Sequence, residues 1–178
     1  CQRVHAMAGL VPAVSDLATL HTTYVSNLRY AAARLAPLGV SLLIEPINSR
    51  DMPGYFLSLQ QQAHDVLAEV GAPNLKVQMD FYHCQIMEGD LSKRLQKHLA
   101  GVGHIQIAGV PDRHEPDVGE VNFPHLFDLL DALTANISEK DSDDITENDG
   151  LPKFAIIGQP NVGKSSLVNC LLNRKVSY

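Results

Sequence analysis

Over residues 1–133, short apolar runs rich in β-branched residues alternate with stretches whose apolar positions recur every three or four residues. The first pattern is that of a buried strand and the second that of an amphipathic helix. Strict alternation of the two is how a parallel sheet built from βα units reads. Four such units follow one another. The first is RVHAMAG (Arg3–Gly9), followed by a helix on which Leu17, Leu20, Tyr24, Leu28, Ala31 and Leu35 share a face, with Gly39 as the stop. The second is VSLLIEPIN (Val40–Asn48), then a helix opened by Ser58 and Gln61 in capping-box spacing and closed by Gly71. The third is LKVQMDFYH (Leu75–His83), then a helix over about Asp90–Leu99 with Asp90 as N-cap. The fourth is HIQIAG (His104–Gly109), after which a polar loop leads to FPHLFDLLDAL (Phe123–Leu133).

The composition suits this reading, with 45% hydrophobic residues in 178. No apolar run approaches the roughly 18 residues of a membrane span, and no secretory signal is visible, so a soluble cytoplasmic protein without a membrane partner is expected. Cys1, Cys84 and Cys170 are widely spaced and form no CxxC pair, which argues against a disulfide framework or a zinc site. The net charge is −6, but Asn136–Gly150 carries six acidic residues against the single Lys140. The body is therefore nearly neutral and lacks the clustered Lys and Arg that a nucleic-acid surface requires.

That acidic stretch marks a change of character. TANISEKDSDDITENDG (Thr134–Gly150) holds two isolated isoleucines and no aromatic residue, the composition of a solvated linker. A fifth apolar strand, KFAIIG (Lys153–Gly158), follows, then a loop over Gly158–Ser165 and a helix over about Lys164–Asn173. The expected domains are a body at 1–133, a linker at 134–150 and a short third segment at 151–178.

In the body, all four strands carry their polar residues late, and in parallel α/β proteins ligands bind beyond the carboxyl ends of the strands. Glu45, Asp80 and Gln106 each lie at or near the end of a different strand, at matching depth. Two carboxylates and an amide oxygen make a hard oxygen set, suited to Mg2+ or Mn2+ rather than to zinc.

LRYAAARLAPLGVSLLIEPINSRDMPGYFL, NLKVQMDFYHCQIMEGDL and GHIQIAGVPDRHEPDVGEVNFPHLF closely resemble the hydroxypyruvate isomerase family of xylose-isomerase-like TIM barrels, over residues 1–133. The resemblance implies an α/β fold, a partial (β/α)8 barrel covering strands four to seven. It also implies interconversion of hydroxypyruvate and tartronate semialdehyde, by metal-assisted proton transfer through an enediol. On this resemblance Glu45 matches a catalytic glutamate and metal ligand, and Asp80 and Gln106 match two further ligands. His83 and Arg113 correspond to residues that hold oxygens of a small hydroxy-keto acid or sugar-like substrate. HEPDVGE (His114–Glu120) is read as loop architecture rather than as a catalytic pair. The family's second catalytic glutamate, on the eighth strand, has no counterpart before the acidic stretch, so isomerase activity of this chain alone is expected to be weak or absent. Half a barrel would persist by self-association through its open sheet edges, by curling into a smaller sheet, or as a partly molten body.

GQPNVGKS (Gly158–Ser165) fits G-x-x-x-x-G-K-[ST] between an apolar strand and a helical pattern. Such a loop wraps phosphate in backbone N–H groups, with Lys164 reaching the terminal phosphates and Ser165 a magnesium ion. Gly158, Asn161, Val162, Gly163, Lys164, Ser165 and Ser166 are the candidate nucleotide-binding residues. LPKFAIIGQPNVGKSSLVNCLLNR resembles the Der (EngA) type of translation-factor-related GTPases, which implies GTP as ligand. Its switch and guanine-selecting motifs are absent, so GTP hydrolysis is not expected. A composite or truncated reading frame accounts for both parts, with a GTP-binding protein and a non-catalytic interaction fragment as the alternatives.

Overall fold

The computed structural model describes residues 2–138 and 153–156. Five strands, β1 (Arg3–His5), β2 (Ser41–Ile44), β3 (Leu75–Asp80), β4 (Val102–Ile107) and β5 (Lys153–Ile156), form one sheet in chain order. Every neighbouring pair is parallel. The helices between them are α1 (Leu17–Leu35), α2 (Gln60–Val70), α3 (Phe81–Met87), α4 (Leu91–His98) and α5 (Phe123–Ser138), with single 3-10 turns at Ala36–Leu38 and Leu99–Gly101. α1 packs on α2, α2 on α4, and α4 on α5, so the helix layer runs in the same order as the sheet. Sequential parallel strands backed by sequential helices form an arc of a (β/α) barrel wall.

The apolar periodicities of the sequence become the buried faces. Val25, Leu28 and Ala32 of α1 and Ala63 and Val66 of α2 close over Leu42, Ile44 and Val77 of the sheet. Leu95 of α4 and Phe123, Leu126 and Leu130 of α5 close over Met79, Ile105 and Ile107. Burying each of the larger of these side chains stabilises by about 1.5–3 kcal/mol. Gly39 and Gly71 end the first two helical stretches with φ of 64° and 70°, a left-handed backbone that glycine adopts without a Cβ penalty.

Several local expectations are corrected. The Ser58/Gln61 capping box does not form: Gln60 N–H donates instead to Glu88 Oε2 at 2.8 Å, and Arg94 holds Glu88 at 2.8 Å. A carboxylate brought in from the α3–α4 connection thus replaces a local cap, while Ser58 N–H donates to Gln62 Oε1 at 3.1 Å. Asp90 does precede α4, but at φ 48° and with no side-chain capping bond. The run FYH is the first turn of α3 rather than the end of a strand, because Asp80 accepts Tyr82 N–H at 2.8 Å and starts the helix there. α5 runs to Ser138, five residues into the stretch read as a linker. β5 pairs with β4 in the register His104↔Lys153 to Ile107↔Ile156, so the β4 edge expected to be open is covered. Among the described residues the edge strands are β1 and β5.

Candidate active site

Glu45 follows directly on β2, Asp80 ends β3, and Gln106 lies opposite Asp80 on β4. All three stand at the carboxyl ends of neighbouring strands. The register sets Asp80 level with Gln106, while Ile44 opposite Val77 puts Glu45 level with Gln78, two residues before Asp80 on β3. Ligand atoms of Glu45, Asp80 and His83 lie within 4.8 Å of one another, and all three residues are buried. His83 joins the two carboxylates because the early start of α3 places it three residues past Asp80 on the first helical turn, with Nε2 3.8 Å from Asp80 Oδ2.

Two carboxylates this close and this dry oppose each other's ionisation. Burial, and then the charge of Asp80, push Glu45 up to about 7, against a hydrogen bond from Gln78 and the Arg113 guanidinium. Burial also raises Asp80, opposed by His83, the Tyr82 N–H and Arg113. Burial lowers His83 despite Asp80, which holds the imidazole neutral. A divalent cation would relieve this repulsion, so the donor set fits one: two carboxylates, with the amide oxygen of Gln106 one strand further on. Gln106 Oε1 already accepts from Gln78 Nε2 at 3.1 Å, which leaves its second lone pair. His5 stands on the far side of Glu45, with Nε2 at 3.7 Å from Oε2, and burial lowers it.

Around His83 lies a second layer. Asn48 Nδ2 is 2.6 Å from His83 Nδ1, and Asp51 N–H donates to Asn48 Oδ1 at 2.7 Å. Tyr82 O–H donates to Asp51 Oδ1 at 3.2 Å. Arg113 lies 5.1 Å over the Tyr82 ring, with Nη1 3.7 Å from Asp51 and Nη2 3.5 Å from His83 Nε2. Its φ of 60° is a left-handed conformation rare for a residue with a Cβ, held by a loop in which Gly109 N–H donates to His114 O and Glu120 N–H to Val110 O. Glu115 and Glu120 enter that loop through their main chains.

The structure thus gathers Glu45, Asp80, Gln106, His83 and Arg113 at one end of the sheet. Sequence reasoning missed Gln78, Asn48, Asp51 and Tyr82. Gln78 carried a readable signal, being two residues before Asp80 on the same strand and hence on the same face. Gly158, Asn161, Val162, Gly163, Lys164, Ser165 and Ser166 lie outside the described residues.

Residues 1–137 match the family model described as xylose isomerase-like TIM barrel, and residues 153–178 match that of the 50S ribosome-binding GTPases. A 2-oxo-tetronate isomerase of Cupriavidus necator is 60% identical over 131 residues, 74% of this chain and 50% of that protein. A hydroxypyruvate isomerase of Escherichia coli is 42% identical over 130 residues, 73% of this chain and 50% of that protein. A crystal structure of an AP endonuclease, family 2, from Brucella melitensis superposes with a TM-score of 0.74 at 41% identity, covering 86% of this chain and 54% of that one. The chain spans about half the length of the curated relatives it matches. From its matched residues and its arc of parallel strands, the chain belongs to the xylose isomerase-like TIM barrel family.

Proposed function

We propose that this chain carries the acid–base and cation-binding part of an isomerase acting on a small hydroxy-keto acid such as hydroxypyruvate. The observation that carries this reading is the buried convergence of Glu45, Asp80 and His83. The names of the relatives, hydroxypyruvate isomerase and 2-oxo-tetronate isomerase, point to the same substrate chemistry.

Glu45 removes a proton from the hydroxyl-bearing carbon, the C–H electrons form the new C=C bond, and the carbonyl oxygen takes up a proton to give an enediol. Return of a proton to the same carbon exchanges it with solvent; delivery to the former carbonyl carbon, with the neighbouring hydroxyl giving up its O–H proton to become the new carbonyl, would complete the isomerisation without any external redox partner. Mg2+ or Mn2+, held by Glu45, Asp80 and Gln106, would supply the positive charge that acidifies the C–H and stabilises developing negative charge on oxygen. Arg113, partly exposed beside the buried group, offers the substrate carboxylate a planar guanidinium. His83 meets a substrate oxygen from the buried side. Among the described residues, no second glutamate gathers with Glu45, Asp80 and His83, so this chain is assigned proton removal and return at one carbon.

The test is deuterium exchange. The full chain with Mn2+ and hydroxypyruvate in D2O is expected to exchange the C3 protons, seen by proton NMR, and Glu45→Gln to reduce the rate to background. No exchange above that of the variant would overturn the assignment. For residues 153–178 the narrower reading is a phosphate-binding segment, supported by the match to the GTPase model.

A further inference from the structure

We infer that Asn48 is a positioning residue that locks His83 as its Nε2–H tautomer and thereby keeps His83 a hydrogen-bond donor to substrate, outside the ligand set of the cation. The inference rests on the reading of this site as one for a cation and a hydroxy-keto acid. The orientation of the Asn48 amide is set from outside the pair. Asp51 N–H donates to Oδ1 at 2.7 Å, and Nδ2 donates to Asp51 Oδ2 at 3.3 Å. Turning the amide over would face N–H against N–H and oxygen against carboxylate, losing both bonds inside a residue that is 0% exposed.

With that orientation held, two donors converge on one ring nitrogen. Asn48 Nδ2 lies 2.6 Å and Asn48 N 3.4 Å from His83 Nδ1. Nδ1 must therefore present a bare lone pair, and the ring proton resides on Nε2. Nε2 faces the reaction side, 3.8 Å from Asp80 Oδ2 and 3.5 Å from Arg113 Nη2. Asp80 Oδ2 lies too far to take that N–H and the guanidinium, a donor only, cannot take it, so it remains for an oxygen arriving between them. Arg113 sets the ring less firmly than Asn48 does, because it divides its guanidinium between Asp51 and the Tyr82 face and is 43% exposed, whereas Asn48 is enclosed.

A protonated Nε2 has no lone pair for a cation. The buried trio therefore divides into two roles: carboxylates for the ion, and imidazole for the substrate. This preserves an all-oxygen set and disfavours nitrogen-seeking ions such as Zn2+.

Two-bond proton–nitrogen spectra of the full chain, 15N-labelled in its histidines and assigned by the His83→Gln variant, read the tautomer directly. Wild type is expected to show His83 with a pyrrole-type Nε2 and a pyridine-type Nδ1. Asn48→Asp, nearly the same shape, still accepts from Asp51 N–H but turns an acceptor toward Nδ1, so the two nitrogen signals should exchange character. The bared Nε2 should then raise the affinity for Zn2+ relative to Mn2+ by about tenfold or more, measured with the metal alone. A pyridine-type Nε2 in wild type, or an Asn48→Asp protein with the wild-type tautomer, would overturn the inference. The wild-type spectrum decides the matter even if the variant does not fold. Failure of the isomerase reading would appear separately, as absent deuterium exchange with the tautomer intact.

Discussion

Beyond the carboxyl ends of the strands, Glu45, Asp80 and His83 are buried with their polar atoms turned toward a common point. Beside Gly101, just ahead of β4, the half-buried His64 and the buried His98 form a stacked pair, ring centroids 4.2 Å apart and planes 19° from parallel. Both regions shift their titrating groups strongly: burial lifts Glu45 to about 7 and, with the help of His98, lowers His64 to about 4. Stacked imidazoles hold their in-plane lone pairs side by side rather than aimed at a shared ion, and the Nε2 atoms of both rings meet no hydrogen-bond partner. A perturbed pKa therefore records burial in either place, and convergence of donor atoms is what separates a site from a packed interior. The stack exists because residue 101 is glycine: a Cβ there would stand 2.6 Å from the His64 ring.

The largest expected effect in a test of this contrast is on the metal-free protein. Glu45 has its folded pKa raised to about 7, so the ionised form is disfavoured in the fold and stability falls as pH rises from about 4.5 toward 7. Glu45→Gln should remove about 3 kcal/mol of that pH dependence in denaturant melts, and Mn2+ should restore stability to wild type only. An unchanged pH profile would show that the carboxylates do not confront each other.

Next in size, Asp80→Asn should weaken Mn2+ binding by about 10–100-fold in calorimetric titration. Its amide oxygen can still cap α3, so unfolding should shift by less than about 1 kcal/mol. Loss of the fold instead would make Asp80 a structural residue like His64.

The smallest effect belongs to the stacked pair. His64 has its folded pKa lowered, so its stabilising contribution is present above about 6.5 and lost as pH falls through about 4. After allowance for partial exposure, His64→Phe should remove about 1 kcal/mol of this acid sensitivity in thermal melts and leave Mn2+ binding unchanged. Altered metal binding in that variant would erase the distinction between the two regions.

The strand-end carboxylates were legible because a strand that turns from apolar to charged declares its end and its face within a few residues. Gln78 was legible by the same rule and was overlooked. The capping box at Ser58 failed for a different reason: a cap is a hydrogen bond open to any acceptor, and Glu88, 28 residues further along the chain from Gln60, reached it first. FYH read as strand because its apolar run continues past Asp80, and nothing local says that the Asp80 side chain will turn back onto the Tyr82 N–H.

The sequence by itself determined the parallel βα order, the buried faces of the helices, and the polar residues that close each strand, since these depend on periodicities within single segments. Only the tertiary structure decided that β5 covers the edge of β4, that His83 enters the carboxylate group, and that Asn48 grips a histidine 35 residues away. Hydrogen-bond partners across the fold are set by which strand ends become neighbours and by the angle at which each helix leaves its strand, and neither is written in any one segment.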